Sequence, residues 1–168
     1  QIMLDIVIIG SGPAGLSAAI YGLRSGLDIL VIEKISHGVG QIAEADCINN
    51  YLGFSSIRCF ELGMQFRTHA EACGVRFQES EAIKLERTDA CWKIYAKDGS
   101  CIQSKTVIYA AGASHRHLNV FGEEALIGKG VSYCATCDGT FYKGKDVAVI
   151  GGGNTAIGEA LYLFGFCH

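Results

Sequence analysis

The first part of the chain alternates apolar runs with glycine in an order that predicts a strand, a helix and a second strand. Residues 4–9, LDIVII, form a β-branched run that stops at a glycine, which is typical of a strand buried on both faces. A helix is predicted next, ending just before Gly26, because apolar residues recur at helical spacing. These residues are Leu16, Ala19, Ile20 and Leu23. Residues 27–32, LDILVI, supply a second buried strand and complete a βαβ unit, which requires a parallel sheet.

The middle of the chain predicts a second helix followed by antiparallel strands. Residues 33–60 are polar and irregular, and a loop of this length is usually functional. The apolar face and the C-terminal cap of the following helix are formed by Leu62, Phe66, Ala70, Cys73 and Gly74. After a short strand at 75–77, residues 81–104 alternate apolar and polar positions around a hairpin turn at Asp98-Gly99. Residues 106–113, TVIYAAGA, then predict another buried strand.

A second domain is expected to begin near residue 116. A polar stretch ends at Lys145, and residues 146–163, DVAVIGGGNTAIGEALYL, repeat the order of strand, glycine turn and helix. The sequence ends at His168, before the second strand that would complete this βαβ unit. We therefore predict an α/β chain with one domain over residues 1–115 and the start of another over residues 116–168.

The first glycine turn has the spacing of a dinucleotide-binding loop. Residues 10–15, GSGPAG, fit G-x-G-x-x-G, in which Gly10 permits a tight turn and Gly12 lets the backbone approach a pyrophosphate. Gly15 allows the helix to pack closely on the strand, and the helix N-terminus presents N–H groups to the phosphates. Glu33, at the end of the second strand, is placed to accept hydrogen bonds from ribose hydroxyls. This context favours a nucleotide site over a purely structural turn.

The second glycine turn repeats the pattern and predicts a second nucleotide. Residues 151–156, GGGNTA, carry Ala156 at the third position, which is a permitted variant. The residue that separates NADPH from NADH lies about 20 positions further on, so the sequence does not show this preference. With both turns, we predict a Rossmann-like domain made of a parallel sheet plus a β-meander, followed by the start of a second Rossmann-like domain.

Charge and hydropathy disfavour two classes of partner. The formal net charge of -3 leaves no large basic patch, so nucleic-acid binding is not favoured. Residues 6–23 carry no charge over 18 positions, about the minimum for a membrane helix. Four glycines and Pro13 interrupt this stretch, and Asp5 stands where a signal peptide needs positive charge. We predict neither a membrane span nor a targeting segment.

Cys134 and Cys137, within YCATCDG, form a C-x-x-C pair with the spacing of redox cysteines. In such a pair a thiol pKa lowered to about 7 yields a usable nucleophile, and the two sulfurs can close and reopen a disulfide by exchange. Asp138 follows directly and can move a proton to or from the departing thiolate, although aspartate before glycine is also a common turn residue. The remaining cysteines make no compact pattern, and we interpret them as buried thiols of a reducing cytosol. They are Cys47, Cys59, Cys73, Cys91, Cys101 and Cys167.

A structural zinc site is disfavoured. His115 and His117 with the cysteine pair make a Cys2His2 set by count. No second C-x-x-C accompanies them, and both histidines follow directly on a predicted buried strand. We therefore predict no metal.

The segments GSGPAG, CATCDG and VIGGGNTA, in this order and at these distances, resemble the low-molecular-weight thioredoxin reductases. Residues 40–54, GQIAEADCINNYLGF, resemble the G-Q loop and N-Y-P-G segment of that family, and AAGAS at 110–114 is similar to its A-T-G-A strand end. The resemblance implies FAD and NADPH as cofactors and a thioredoxin or thioredoxin-like protein as partner. Electrons would pass from NADPH through FAD and the dithiol to the disulfide of thioredoxin.

The same resemblance implies roles for individual residues. Cys137 would face the flavin, Cys134 would attack the partner disulfide, and Asp138 would donate the proton. The residues implied to bind FAD are Gly10, Ser11, Gly12, Pro13, Ala14, Gly15, Glu33, Lys34, Gly40, Gln41, Asn50, Ala111 and Gly112. Those implied to bind NADPH are Gly151, Gly153, Asn154, Thr155, Ala156 and Glu159. A cytoplasmic homodimer is also implied.

The chain departs from the family pattern in places. Leu52, His115 and Phe121 stand where the family commonly has proline, and Gly158 replaces an acid. Since the family's chain is roughly twice as long, we expect an N-terminal piece whose FAD domain lacks its C-terminal segment. Alone, it would bind FAD poorly and turn over little. Two alternatives stay open: a related flavoprotein of a peroxide-reducing system, and a non-catalytic nucleotide-binding fragment.

Overall fold

The structure, a computed structural model, describes residues 3–37, 39–44 and 47–168. It divides into two compact units, with the break between Ala113 and Ser114. This break is two residues before the boundary expected from the sequence. No helix in the described part of the chain is long and apolar enough to cross a membrane.

The first unit is built on a six-stranded mixed sheet. Its strands are β1 (Leu4–Ile9), β2 (Ile29–Glu33), β5 (Arg76–Glu79), β6 (Ala82–Arg87), β7 (Trp92–Ala96) and β8 (Cys101–Tyr109). The order across the sheet is β5-β2-β1-β8-β7-β6, and the first four of these are parallel. β6, β7 and β8 form an antiparallel meander. A separate antiparallel pair joins β3 (Cys47–Ile48) to β4 (Ile57–Arg58).

Two helices, α1 (Pro13–Arg24) and α2 (Cys59–Ala72), accompany the sheet, and a 3-10 helix spans Gly40–Glu44. Because side chains alternate along a strand, β1 contributes to two different cores. Ile8 packs with Leu16 of α1 and Ala70 of α2 in one cluster. Val7 and Ile9 belong to a second cluster with Ile94 of β7. The central strand is thus buried on both sides, as its uninterrupted apolar sequence predicts.

The predicted fold class of the first unit, a parallel sheet plus a β-meander, is confirmed. β1 has the predicted bounds, but those predicted for β2, β5, β8 and the loop at 33–60 were wrong. β5 spans Arg76–Glu79, whereas the strand was predicted at 75–77. β2 begins two residues later than predicted. The Asp28 carbonyl accepts the N–H groups of both Asp5 and Ile6, so the regular pairing with β1 starts at Ile29. β8 is not the strand predicted at 106–113, because it begins earlier, pairing with β7, and ends at Tyr109. The predicted loop at 33–60 contains the short β3–β4 pair and the first residues of α2.

The second unit is helical in the described residues. It contains α3 (Glu123–Leu126), α4 (Ala135–Asp138), a 3-10 helix at Gly139–Tyr142 and α5 (Asn154–Phe164). The prediction of a strand at 146–150 was wrong, since these residues form no regular secondary structure. A β-ladder needs a neighbouring strand, and among the residues that the structure describes only 166–168 are hydrogen-bonded beside residues 144–147. Three bonds join them: Gly144 N–H to Phe166 O, Val147 N–H to His168 O, and His168 N–H to Lys145 O.

Replacing Ile94 tests the core under the meander. Ile94 is fully buried, so Ile94→Ala is expected to lower the free energy of unfolding by about 2–5 kcal/mol through lost burial and an unfilled cavity. Ile83, on the adjacent strand β6, is 63% exposed. The matched change Ile83→Ala is expected to stay within about 0.5 kcal/mol. Urea unfolding followed by circular dichroism measures both, and equal losses would contradict the described packing.

Candidate functional site

The first glycine turn joins β1 to α1 through very close backbone contacts. Gly10 has φ +108, and a Cβ there would lie 2.2 Å from the Ala110 carbonyl oxygen. A Cβ on Gly15 would lie 1.9 Å from the Gly10 carbonyl oxygen. Gly12 is the N-cap of α1, and its carbonyl accepts the N–H of Leu16 at 3.0 Å. The turn therefore holds the N-terminus of α1 at the carboxyl end of β1, where only glycine fits.

Residues distant in sequence meet this turn. A Cβ on Gly12 would have the Gly40 Cα as its nearest neighbour, at 3.9 Å, so the start of the 3-10 helix lies beside the turn. The next residue, Gln41, donates from Nε2 to the Ala113 carbonyl at 2.5 Å. That carbonyl belongs to the segment leaving β8, one residue after Gly112. The two glycine-containing loops and the end of β8 thus converge on one edge of the sheet.

Glu33, at the end of β2, is held in a buried ion pair. Its side chain is 2% exposed, and its Oε2 accepts a hydrogen bond from Arg67 Nη1 at 2.6 Å. Arg67 Nε also bonds Glu71 Oε1 at 2.7 Å, and the guanidinium stacks 3.4 Å from the Phe77 ring centroid. Burial acts to lower the pKa of Arg67, but the bonds to Glu33 and then Glu71 outweigh it and raise this pKa. The hydrogen bond from Arg67 therefore fixes the position of the Glu33 carboxylate.

The second glycine turn has the same backbone plan as the first. Gly151 has φ +142 and Gly153 is the N-cap of α5, with ψ 174 against 177 at Gly12. The Gly153 carbonyl accepts the N–H of Ile157 at 3.1 Å. A Cβ on Gly153 would meet nothing within 4 Å. The space beside Gly153 at the start of α5 is therefore open.

Cys134 and Cys137 form a disulfide at the start of α4, with Cα atoms 5.3 Å apart. Cys134 is the N-cap of α4 and is half-buried, whereas Cys137 is exposed. Asp138, the last residue of α4, donates its N–H to the Cys134 carbonyl at 3.1 Å. Its Oδ2 accepts a hydrogen bond from Ser132 Oγ at 2.6 Å. The disulfide and a carboxylate are thus presented by one turn of helix.

A buried carboxylate anchors the residue that precedes this disulfide. Glu123 is 4% exposed and accepts N–H bonds from Leu118 and Asn119 and an O–H bond from Tyr133 at 2.5 Å. The Tyr133 hydrogen bond, followed by the backbone N–H groups, lowers the pKa of Glu123 to about 2. The same hydrogen bond, together with burial and the Glu123 charge, raises the pKa of Tyr133 to about 12. The His115 ring stacks on Tyr133, with the ring centroids 4.7 Å apart.

Comparison with known sequences matches nearly the whole chain to one protein family. The profile of the pyridine nucleotide-disulphide oxidoreductase family matches residues 4–168. The chain belongs to this family. It is 42% identical over 163 residues to the thioredoxin reductase of Mycoplasma genitalium, and the aligned region covers 97% of this chain and 51% of the relative. It is 41% identical over 162 residues to that of Bacillus subtilis, covering 96% and 51%. The chain thus spans about half the length of the curated relatives it matches.

Solved structures of thioredoxin reductases superpose on this chain. The thioredoxin reductase of Streptococcus pyogenes matches with a TM-score of 0.89 and 41% identity, over 98% of this chain and 53% of the solved one. That of Giardia duodenalis matches with a TM-score of 0.91 and 33% identity, over 99% and 54%. The resemblance to thioredoxin reductases, stated from the motifs, is confirmed.

The structure gathers some sequence-predicted residues and separates others. Those at or beside the first turn are Gly10, Ser11, Gly12, Pro13, Ala14, Gly15, Gly40 and Gln41. Lys34 instead forms an exposed ion pair with Glu81 at 2.8 Å, and Asn50 is exposed in the loop between β3 and β4. Glu159 accepts the N–H of Ala135, between the two cysteines, at 3.3 Å. The expectation that the other cysteines are buried is confirmed for Cys59 and Cys167, whereas Cys91 and Cys101 are half-buried and it was wrong for Cys47 and Cys73, which are exposed.

Sequence reasoning missed Arg67, Glu123, Tyr133 and Ser132. The i,i+4 spacing of Arg67 and Glu71 is visible in the sequence, but its partner Glu33 is 34 residues away. Glu123 lies ten positions before Tyr133, so no local pattern links them. Ser132 also carried a signal that could have been read, since it is a hydroxyl residue two positions before the first cysteine of the C-x-x-C pair.

Removing the Arg67 guanidinium is expected to destabilise the first unit. Arg67→Met leaves the Glu33 carboxylate buried without its cation, which costs about 3–5 kcal/mol of unfolding free energy. The control Lys84→Met breaks the exposed Lys84–Glu86 pair and is expected to cost about 0–1 kcal/mol. Chemical unfolding at neutral pH measures both. Equal stability of the two variants would show that Glu33 does not depend on Arg67.

The Glu123–Tyr133 bond predicts a pH-dependent contribution to stability. The folded-state pKa of Glu123, about 2, lies below its ordinary 4.5, so the stabilisation is present above pH 4.5 and is lost as pH falls towards 2. The deficit in Tm of Tyr133→Phe relative to the unmodified chain should therefore shrink between pH 6 and about pH 3. Tyr162, which packs edge-on against Phe166, supplies the control Tyr162→Phe, whose deficit should not change with pH. A constant deficit for Tyr133→Phe would contradict the assignment.

Proposed function

We propose that this chain carries the FAD-binding unit and the first part of the NADPH-binding unit of a thioredoxin-disulfide reductase. One observation supports this most directly: Glu159, on the helix that follows the second glycine turn, binds the backbone N–H of Ala135 between Cys134 and Cys137. The thiol pair and the predicted nucleotide turn are therefore tied together within one unit. The relatives named thioredoxin reductase, at about 40% identity, support the same activity.

The first turn fits the pyrophosphate of FAD. At Gly12 the nearest neighbour of a Cβ would be the Gly40 backbone, so any side chain there would fill the space beside the start of α1. The N–H groups of that first helical turn are the donors a pyrophosphate needs. Gly10, Gly12, Gly15, Gly40 and Gln41 would line this site, and the buried Glu33 would receive the ribose hydroxyls.

The second turn fits a further dinucleotide. Gly151, Gly153, Asn154, Thr155 and Ala156 would receive the phosphates of NADPH at the start of α5. The chemistry that FAD and NADPH would supply is the delivery of an electron pair to the Cys134–Cys137 disulfide. The later transfer of these electrons to the partner is carried out by side chains of this chain.

The reduced pair would then reduce the partner by thiol–disulfide exchange. The Cys134 thiolate attacks one sulfur of the partner disulfide, so a mixed disulfide forms and the partner's S–S bond breaks. The Cys137 thiolate attacks Cys134, which restores the internal disulfide and releases the second partner thiol. Two electrons pass to the partner, and Asp138 donates a proton to a departing thiolate. The sulfurs of Cys134 and Cys137 are close enough for the second step, since they are bonded.

The partner proposed here is thioredoxin or a thioredoxin-like protein. The names of the curated relatives support it. A homodimer in the cytoplasm is proposed with it, on the family resemblance alone.

A trapping experiment tests the assignment of the two cysteines. Cys137→Ser leaves Cys134 to attack but removes the thiol that resolves the intermediate, so it should accumulate a mixed disulfide with oxidised thioredoxin. Cys134→Ser, the matched control, should accumulate much less. Non-reducing gel electrophoresis and mass mapping of the crosslinked peptide measure both. Equal trapping, or a crosslink at exposed Cys47 or Cys73 only, would reject the roles proposed for the pair.

A further inference from the structure

The hydroxyl of Ser132 lies at the centre of the hydrogen bonds around the disulfide. It is 2.6 Å from Asp138 Oδ2 and 3.3 Å from the Cys134 carbonyl oxygen, and it accepts the N–H of Cys134 at 3.1 Å. A serine hydroxyl has one proton to donate. The shorter contact, to a carboxylate, is the stronger of the two, so the proton points to Asp138.

Asp138 is therefore held at both of its ends. Its backbone N–H binds the Cys134 carbonyl at 3.1 Å, and its side chain binds Ser132. Ser132 itself adjoins Tyr133, which is fixed by the buried Glu123. Without these bonds, a carboxylate on a single turn of helix would occupy several rotamers.

We propose that Ser132 is a positioning residue, which holds the Asp138 carboxyl group where it exchanges a proton with the sulfur leaving the Cys134–Cys137 disulfide. This inference rests on the proton-transfer role proposed above for Asp138. When an external thiolate attacks one sulfur, the internal S–S bond breaks and a mixed disulfide forms. The other sulfur leaves with the electron pair and takes a proton from the protonated form of Asp138, in which Oδ1 carries the proton while Oδ2 accepts the Ser132 bond. A second external thiol then releases the first cysteine, and the external dithiol is oxidised as the pair is reduced.

A purely structural role for Ser132 makes a different prediction. By accepting the Cys134 N–H, the hydroxyl also supports the backbone that enters α4. If that were its whole contribution, its removal would act whether or not residue 138 can exchange a proton. The two roles are separated by a double-mutant cycle.

The experiment follows reduction of the disulfide in the chain itself by dithiothreitol, with acid quenching, alkylation and mass analysis. Ser132→Ala should slow reduction by roughly fivefold to tenfold, a part of the 10²–10⁴ that a general acid contributes. Ser132→Thr, which keeps the hydroxyl, should restore most of the rate. In an Asp138→Asn background, Ser132→Ala should have no further effect.

Three results would overturn the proposal. They are an unchanged rate in Ser132→Ala, an equal slowing by Ser132→Ala in both backgrounds, and an unaffected rate in Asp138→Asn. The assay contains no flavin, nucleotide or thioredoxin. Failure of the reductase proposal in the trapping experiment would therefore be distinguishable from failure of this one.

Discussion

The first unit depends on the contact between the backbone at Gly10 and two neighbouring segments. Gly15 approaches the Gly10 carbonyl, and Gly10 approaches Ala110, too closely for any side chain. This contact sets the start of α1 against the carboxyl ends of β1 and β8, two adjacent parallel strands. Ligands of open α/β sheets bind at such carboxyl ends. The steric requirement for glycine and the proposed cofactor site therefore have the same cause.

Two buried carboxylates give the functional segments their positions. Glu33 is paired with Arg67 at the end of β2, and Glu123 accepts the Tyr133 hydroxyl just before Cys134. A buried carboxylate is costly unless it is hydrogen-bonded, so each one specifies the conformation that supplies its partners. The chemistry proposed for the disulfide is carried by exposed and half-buried groups, and the buried pairs hold the segments that carry them.

Prediction from the sequence worked where the signal is local and failed where it depends on a distant partner. The strand at Leu4–Ile9 and the helix after it follow from apolar spacing and a glycine turn, and they formed as expected. Residues 146–150 have the same apolar character, but they formed no strand, because a strand needs a ladder of hydrogen bonds and the three bonds to residues 166–168 reach only as far as Val147. Lys34 pairs with Glu81 in the structure, a contact that no local pattern indicates, and its role at the cofactor stays a prediction.

By itself, the sequence determined the two glycine turns and the C-x-x-C pair, because each is a contiguous motif with a fixed spacing, and the order of these motifs determined the family. It also determined the burial of β1, whose apolar residues occupy both faces. Only the tertiary structure decided what surrounds these motifs. Arg67 reaches Glu33 from another element, and Glu123 reaches Tyr133 across ten residues. Such contacts arise when elements pack together in space, so the local spacing of residues in the sequence does not predict them.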